Sequence, residues 1–171
     1  FLTGKPQITF FKSSYRRHTH YASEAIELSF TGNPDFGKNV QVTVSRNADL
    51  IGRAYLQITL PAVTSAASGS GFSWVNEVGH HLVRHVEFEV GGQEIDKHYA
   101  EWLSIWNSLT RPVGHESGYN NMIGNTSDLT GAFPLFAVAS GGNVTPETKL
   151  YVPLQFSFNR HTGLYLPLIA L

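Results

Sequence analysis

The sequence has no cysteine, a single methionine and few charges. Without cysteine there is no disulfide staple, no thiolate zinc site and no thiol nucleophile. Charged residues make up 15% of the 171 positions, where about 25% is usual. Twelve Lys and Arg against thirteen Asp and Glu give a formal net charge of −1. No global basic field is therefore available to gather nucleic acid. No apolar run approaches the roughly 18–20 residues that cross a bilayer as a helix. Phosphate loops, glycine-rich dinucleotide motifs and a Ser-His-Asp pattern are missing as well. The start, Phe1-Leu2-Thr3-Gly4, lacks the three regions of a signal peptide and reads as trimmed.

What is present points to strands. Apolar residues reach 42%, enough for a core, and aromatics 12%, alongside 16 Gly and 8 Pro. Aromatics favour pleated, half-buried surfaces, and Gly and Pro favour the turns between them. Ile26, Leu28 and Phe30 alternate with Glu27 and Ser29; Val40, Val42 and Val44 alternate with Gln41 and Thr43. Leu56, Ile58 and Leu60 repeat the pattern, as do Leu82 to Val90 and Val152 to Phe158. A period of two predicts strands at 24–30, 39–45, 54–60, 82–90 and 150–158, with another from 164. Gly91-Gly92 predicts a tight hairpin returning through Gln93 to His98. Trp102, Leu103, Ile105, Trp106 and Leu109 recur at helical spacing, so one short helix is expected over 99–109, stopped by Arg111-Pro112. Residues 62–73 read as a small-residue loop, and 113–148 as a long excursion without a clear period. The sum is an all-β sandwich or barrel, with two packed antiparallel sheets preferred.

Several side-chain groups bear on chemistry. His18-Thr19-His20 with Glu24 approximates a strand-borne metal motif. His18 also sits in a basic cluster, and a structural role is the preferred reading. His81 and His85 would share a strand face about 13 Å apart, too far for one metal at about 3.3 Å per residue; with His80 they read as polar-face residues. Glu87, Glu89 and Glu94 fall on the wet side of a hairpin, not in an acid–base pair. Lys12, Arg16 and Arg17 make the segment 1–22 a candidate contact arm, toward neighbouring proteins or an anionic lipid surface. Asn125-Thr126-Ser127 and Asn143-Val144-Thr145 are sequons, so Asn125 and Asn143 are candidate glycosylation sites. Trp102 and Trp106 are expected to pack down on a sheet rather than form a binding ridge.

Six blocks carry a resemblance. They are Phe1 to Lys12, Tyr15-Arg16-Arg17-His18-Thr19, Ser45-Arg46-Asn47-Ala48-Asp49-Leu50-Ile51, Val90 to Tyr99, Tyr151-Val152-Pro153-Leu154 and Gly163 to Leu171. In this order they resemble the major capsid proteins of nucleocytoplasmic large DNA viruses: phycodnaviruses, iridoviruses and giant amoebal viruses. The resemblance implies the first jelly-roll β-sandwich of a double jelly roll, with three chains forming a pseudo-hexameric capsomer. Residues 23–171 would then be a partial jelly roll, strands B to G, with H and I and the second sandwich absent. The implied partners are the chain itself, neighbouring capsomers, minor capsid proteins and an internal viral membrane, with no specific nucleic acid. The implied location is the virion shell, assembled in host cytoplasm, with no cofactor and no catalysis. Three alternatives stay open: a minor capsid-like virion protein, a jelly-roll carbohydrate-binding domain, and a cupin-like metal site at His18, His20 and Glu24. The loops 61–80 and 113–148 are candidates for the outer surface.

Overall fold

The computed structural model of the chain describes residues 20–64, 72–131, 137–138 and 142–171. Phe1–Ser45 and Arg46–Leu171 form separate compact units. In the first, the segments expected as strands at 24–30 and 39–45 do not form ladders. Thr31 and Gln41 make an isolated antiparallel bridge, with the Thr31 N–H donating to the Gln41 carbonyl at 2.7 Å. The turn between is closed by the Lys38 N–H donating to the Asp35 carbonyl at 3.2 Å, and the Asp35 side chain accepts from the Phe36 N–H at 2.8 Å. Ile26, Leu28, Val40 and Val44 remain exposed. Alternation prepares a face for burial but supplies no partner strand, and an edge without a partner keeps its backbone groups open.

Among its described residues the second unit holds nine strands: β1 (Leu50–Ile51), β2 (Tyr55–Leu60), β3 (Val63–Thr64), β4 (His85–Val90), β5 (Gln93–Tyr99), β6 (Ala137–Val138), β7 (Gly142–Thr145), β8 (Thr148–Pro153) and β9 (Leu166–Pro167). Its helices are α1 (Val78–His81), α2 (Ala100–Thr110), α3 (Glu116–Ile123) and α4 (Ser127–Thr130). The ladders among the described residues are antiparallel. β2 pairs with β8 from Tyr55↔Pro153 to Leu60↔Thr148, and β4 pairs with β5 around Gly91-Gly92, with an irregularity between Phe88 and Glu89. β3 and β6 flank β7, while β1 pairs with β9.

In this second unit sequence and structure agree on β2, the β4–β5 hairpin and α2, and differ at four places. Leu82 and Val83 end α1 rather than open β4. Strand β8 stops at Pro153, and a 3-10 turn over Ser157–Asn159 follows. There Asn159 accepts from the Phe156 N–H at 3.0 Å and donates to the Gly52 carbonyl at 2.7 Å, which fixes the bend. The strand expected from 164 is reduced to β9, because Pro167 has no N–H to donate and 3-10 turns lie on both sides. The excursion 113–148 carries α3, α4, β6 and β7, so helices beyond α2 are present.

The core lies where α1 and α4 meet the β2–β8 ladder. Leu60, Val78, Leu129 and Leu150 are buried together, with Ile58, Trp74 and Leu82 packed against them. Leu103, Ile123 and Val152 are also fully buried. Two glycines permit the close approach. A Cβ on Gly79 would lie 2.9 Å from the Ile123 carbonyl oxygen, and Gly124, at φ +78°, ends α3 against Val78 and Leu150.

Candidate functional site

Two polar features stand out in the second unit; one is built on His80, which the sequence pattern placed among polar-face residues, and the other on His98, to which it assigned no role. The first is at the junction of α1, α2 and α3. His80 is 1% exposed. Its Nδ1 lies 3.2 Å from Glu77 Oε2 and its Nε2 lies 3.0 Å from the Tyr119 hydroxyl. The Ser104 hydroxyl donates to the same Glu77 oxygen at 2.8 Å. A carboxylate only accepts, so Nδ1 carries the imidazole proton and Nε2 accepts from Tyr119. Glu77 enters α1 in the left-handed region, at φ 52°, a strained setting for a side-chain-bearing residue.

The electrostatics follow from burial. Removal from water pushes His80 below the ordinary imidazole value, against the opposing pull of Glu77. Burial alone would raise Glu77, but hydrogen bonds from Ser104 and His80, with the charges of His80 and His81, hold it below the usual carboxylate range. Burial, reinforced by the Glu77 charge, pushes the Tyr119 phenol up to about 12. Serine here bonds the carboxylate rather than the imidazole, so no activated nucleophile results. The network ties three helices together.

The second feature lies where β5 runs into α2. His98 is 5% exposed and packs edge-on against Phe156, at 4.5 Å between ring centres, beside the stacked rings of Phe156 and Phe158. Neither of its ring nitrogens has a hydrogen-bond partner among the described residues. Next to it the Arg160 guanidinium lies over Trp102 and Trp106, 4.5 Å from the latter ring. The two tryptophans are half-buried beneath this cation, while Leu103 and Asn107 form the buried side of α2. Ile105 and Leu109 are exposed.

The remaining candidates are placed as follows. Lys12, Arg16, Arg17 and His18 lie outside the described residues. His20 and Glu24 are exposed, and no group of three metal-ligating side chains exists among the described residues. His81 belongs to α1 and not to a strand, so it shares no strand face with His85. His85 lies 3.5 Å from Glu87, which also accepts from Lys97 across the hairpin. Glu89 and Glu94 face each other in the β4–β5 register. Asn125 is half-buried just after α3, its N–H donating to the Asn120 carbonyl at 2.8 Å. Asn143 lies within β7. The helices of the described residues include none long and apolar enough to cross a membrane.

Comparison with known proteins gives a consistent result. The family model described as the major capsid protein N-terminus matches residues 9–171. The chain is 49% identical to the major capsid protein of Phaeocystis pouchetii virus, over all of this chain and 36% of that protein. It is 38% identical to the major capsid protein of Paramecium bursaria Chlorella virus 1, over all of this chain and 35% of that protein. Among solved structures, the quasi-atomic model of the PBCV-1 virus capsid aligns with a TM-score of 0.69 at 34% identity, covering 95% of this chain and 35% of the other. The chain thus spans about a third of the length of these relatives.

Proposed function

The chain belongs to the major capsid protein family of large DNA viruses, and on that premise we propose that it is the N-terminal part of a subunit that builds an icosahedral shell. Its fold is a partial jelly roll, aligned over 95% of its length with 35% of a chain of the PBCV-1 virus capsid. The observation that carries the reading is the match along the whole chain at 49% identity to a viral major capsid protein. A shell protein acts through fixed faces repeated by symmetry, without a reaction. The polar clusters fit this role: the His80 network and the Arg160 stack brace elements against each other and leave no nucleophile poised.

The proposal extends to assembly. Three subunits form a pseudo-hexameric capsomer, and capsomers tile the shell after assembly in host cytoplasm. The segment 1–22, with Lys12, Arg16 and Arg17, contacts minor capsid proteins or the internal membrane. Apart from the residues that enter the core, such as Val78, Ile123 and Leu129, the segments 61–80 and 113–148 face outward or toward neighbours, with Asn125 and Asn143 as candidate glycan attachment points. Residues 23–171 form the larger part of one sandwich, and the alternating segments 24–30 and 39–45 pair with strands supplied elsewhere in the full-length protein. The exposed Ile26, Leu28, Val40 and Val44 support this, since such a face is made for burial. Expression of the full-length protein and electron microscopy test the role. Hollow shells or hexagonal capsomers support it; a monodisperse monomer at all concentrations contradicts it.

A further inference from the structure

Helix α2 turns more apolar surface outward than inward. Its inward side carries Leu103 and the buried amide of Asn107, with the Ser104 hydroxyl bonded to Glu77. Its outward side carries Trp102, Ile105, Trp106 and Leu109, which share an arc of about 100° at 3.6 residues per turn. Ile105 is 53% exposed and Leu109 is 75% exposed. We propose that this outward face of α2 is covered, in the full-length polypeptide, by a segment of the same chain that follows residue 171. The proposal rests on the reading of the chain as the N-terminal part of a longer subunit.

Three features fit that face for burial. The Ser108 and Thr110 hydroxyls, which border the arc on either side, donate back to the Ser104 and Trp106 carbonyls at 3.0 and 2.6 Å. Their polar groups are thereby satisfied within the helix, without water. The Arg160 guanidinium lies over both tryptophan rings and spends Nε and Nη2 on the Gln155 carbonyl. A stacked guanidinium is more weakly hydrated than an ammonium and loses less when covered. Tryptophan and arginine are also the side chains that carry most of the energy in covered interfaces. Arg160 makes no ion pair among the described residues. The covering segment therefore supplies an acceptor oxygen to its remaining N–H groups, along with apolar side chains for Ile105 and Leu109.

Size and chain length select the occupant. At about 1.5 Å per residue, the 11 residues of α2 make a strip about 16 Å long and about 10 Å wide. A free-standing complex buries about 800 Å² on each partner, far more than this strip provides. A tethered segment meets the same strip at an effective concentration near millimolar, so a small apolar face is enough to hold it. The relatives have the chain to supply one. These residues span 36% of one matched capsid protein and 35% of another, and the matching family model describes an N-terminus. Most of a polypeptide of that length lies outside them.

The test places the photo-reactive amino acid p-benzoylphenylalanine at position 105 or 109 of the full-length capsid protein. Irradiation is followed by denaturing electrophoresis and peptide mapping. The expected product keeps the mass of one polypeptide and joins the α2 peptide to a peptide from beyond residue 171. A product of doubled mass would seat a second copy on α2 and overturn the proposal. A link confined to residues 1–171, or no link from either position, would overturn it as well. Leu109→Ala gives a second measurement that does not depend on the bulky probe, since alanine is the best helix former. The denaturation midpoint of the full-length variant should fall; an unchanged midpoint means an uncovered face and contradicts the proposal. Electron microscopy of the same samples keeps the two readings apart. Capsomers with a doubled-mass product leave the capsid role standing and remove this inference, whereas a lone monomer with the in-chain product does the reverse.

Discussion

Tyr119 and His80 show how much a single hydrogen bond can decide. Replacing Tyr119 by Phe removes the donor to His80 Nε2 and leaves that nitrogen buried. An orphaned buried acceptor costs about 1–3 kcal/mol, and chemical denaturation of the full-length protein should record a loss of this size. A change within error would mean that the nitrogen finds water. Acid acts on the same residue. His80 and His98 both have folded values pushed below the ordinary imidazole value by burial. The unfolded chain then binds more protons as pH drops, so their contribution is complete above about pH 6.5 and is lost below it as the pH falls through the folded values. Glu77, also lowered, adds the same sign further into acid. The denaturation midpoint should fall between about pH 7 and about pH 5, and less steeply in His80→Gln. A midpoint independent of pH would contradict the burial of these imidazoles. None of this was legible in sequence. His80, His81 and His85 look alike as letters, and only the turn of α1 separates the buried one from its exposed neighbour.

At the scale of elements, legibility follows the source of stability. β2 and α2 were readable because their apolar residues repeat with the period of the element. α3 was not, since Glu116–Ile123 fully buries only Ile123 and draws on Gly124 at its end and on Tyr119 in the His80 network. Its signals are local and polar, and they resemble those of a loop. The alternating segments 24–30 and 39–45 fail in the opposite way: the pattern is correct for a strand, but a ladder needs a partner. In the full-length protein the amides of 26–30 and 40–44 should be protected from hydrogen exchange, whereas in a polypeptide of residues 1–171 they should exchange freely. Equal protection in both would show that the ladder partners are not supplied from elsewhere. The core where α1 meets the β2–β8 ladder should respond as a packed unit. Leu150→Ala, at a fully buried position between Leu60 and Val78, should cost about 2–5 kcal/mol in denaturation of the full-length subunit. A cost near zero would place Leu150 outside the core.

For the whole molecule, composition and exposure tell one story. Low charge, many aromatics and large exposed apolar residues such as Val113, Leu109 and Ile169 fit a chain that buries surface against neighbours as well as within itself. Its family relatives are about three times as long, which suits a sandwich completed by residues outside these 171. Deleting residues 1–22 from the full-length protein should leave capsomers intact but reduce their incorporation into shells, measured by sedimentation of particles against free capsomers; normal incorporation would remove the arm from assembly. The most direct test of the central claim is quantitative peptide mass spectrometry of the shell fraction from gradient-purified virus particles. Peptides spanning residues 20–171 should belong to the most abundant shell protein, in a polypeptide several times longer than this chain. Their absence from the shell, or their presence only in a polypeptide of this length, would contradict it.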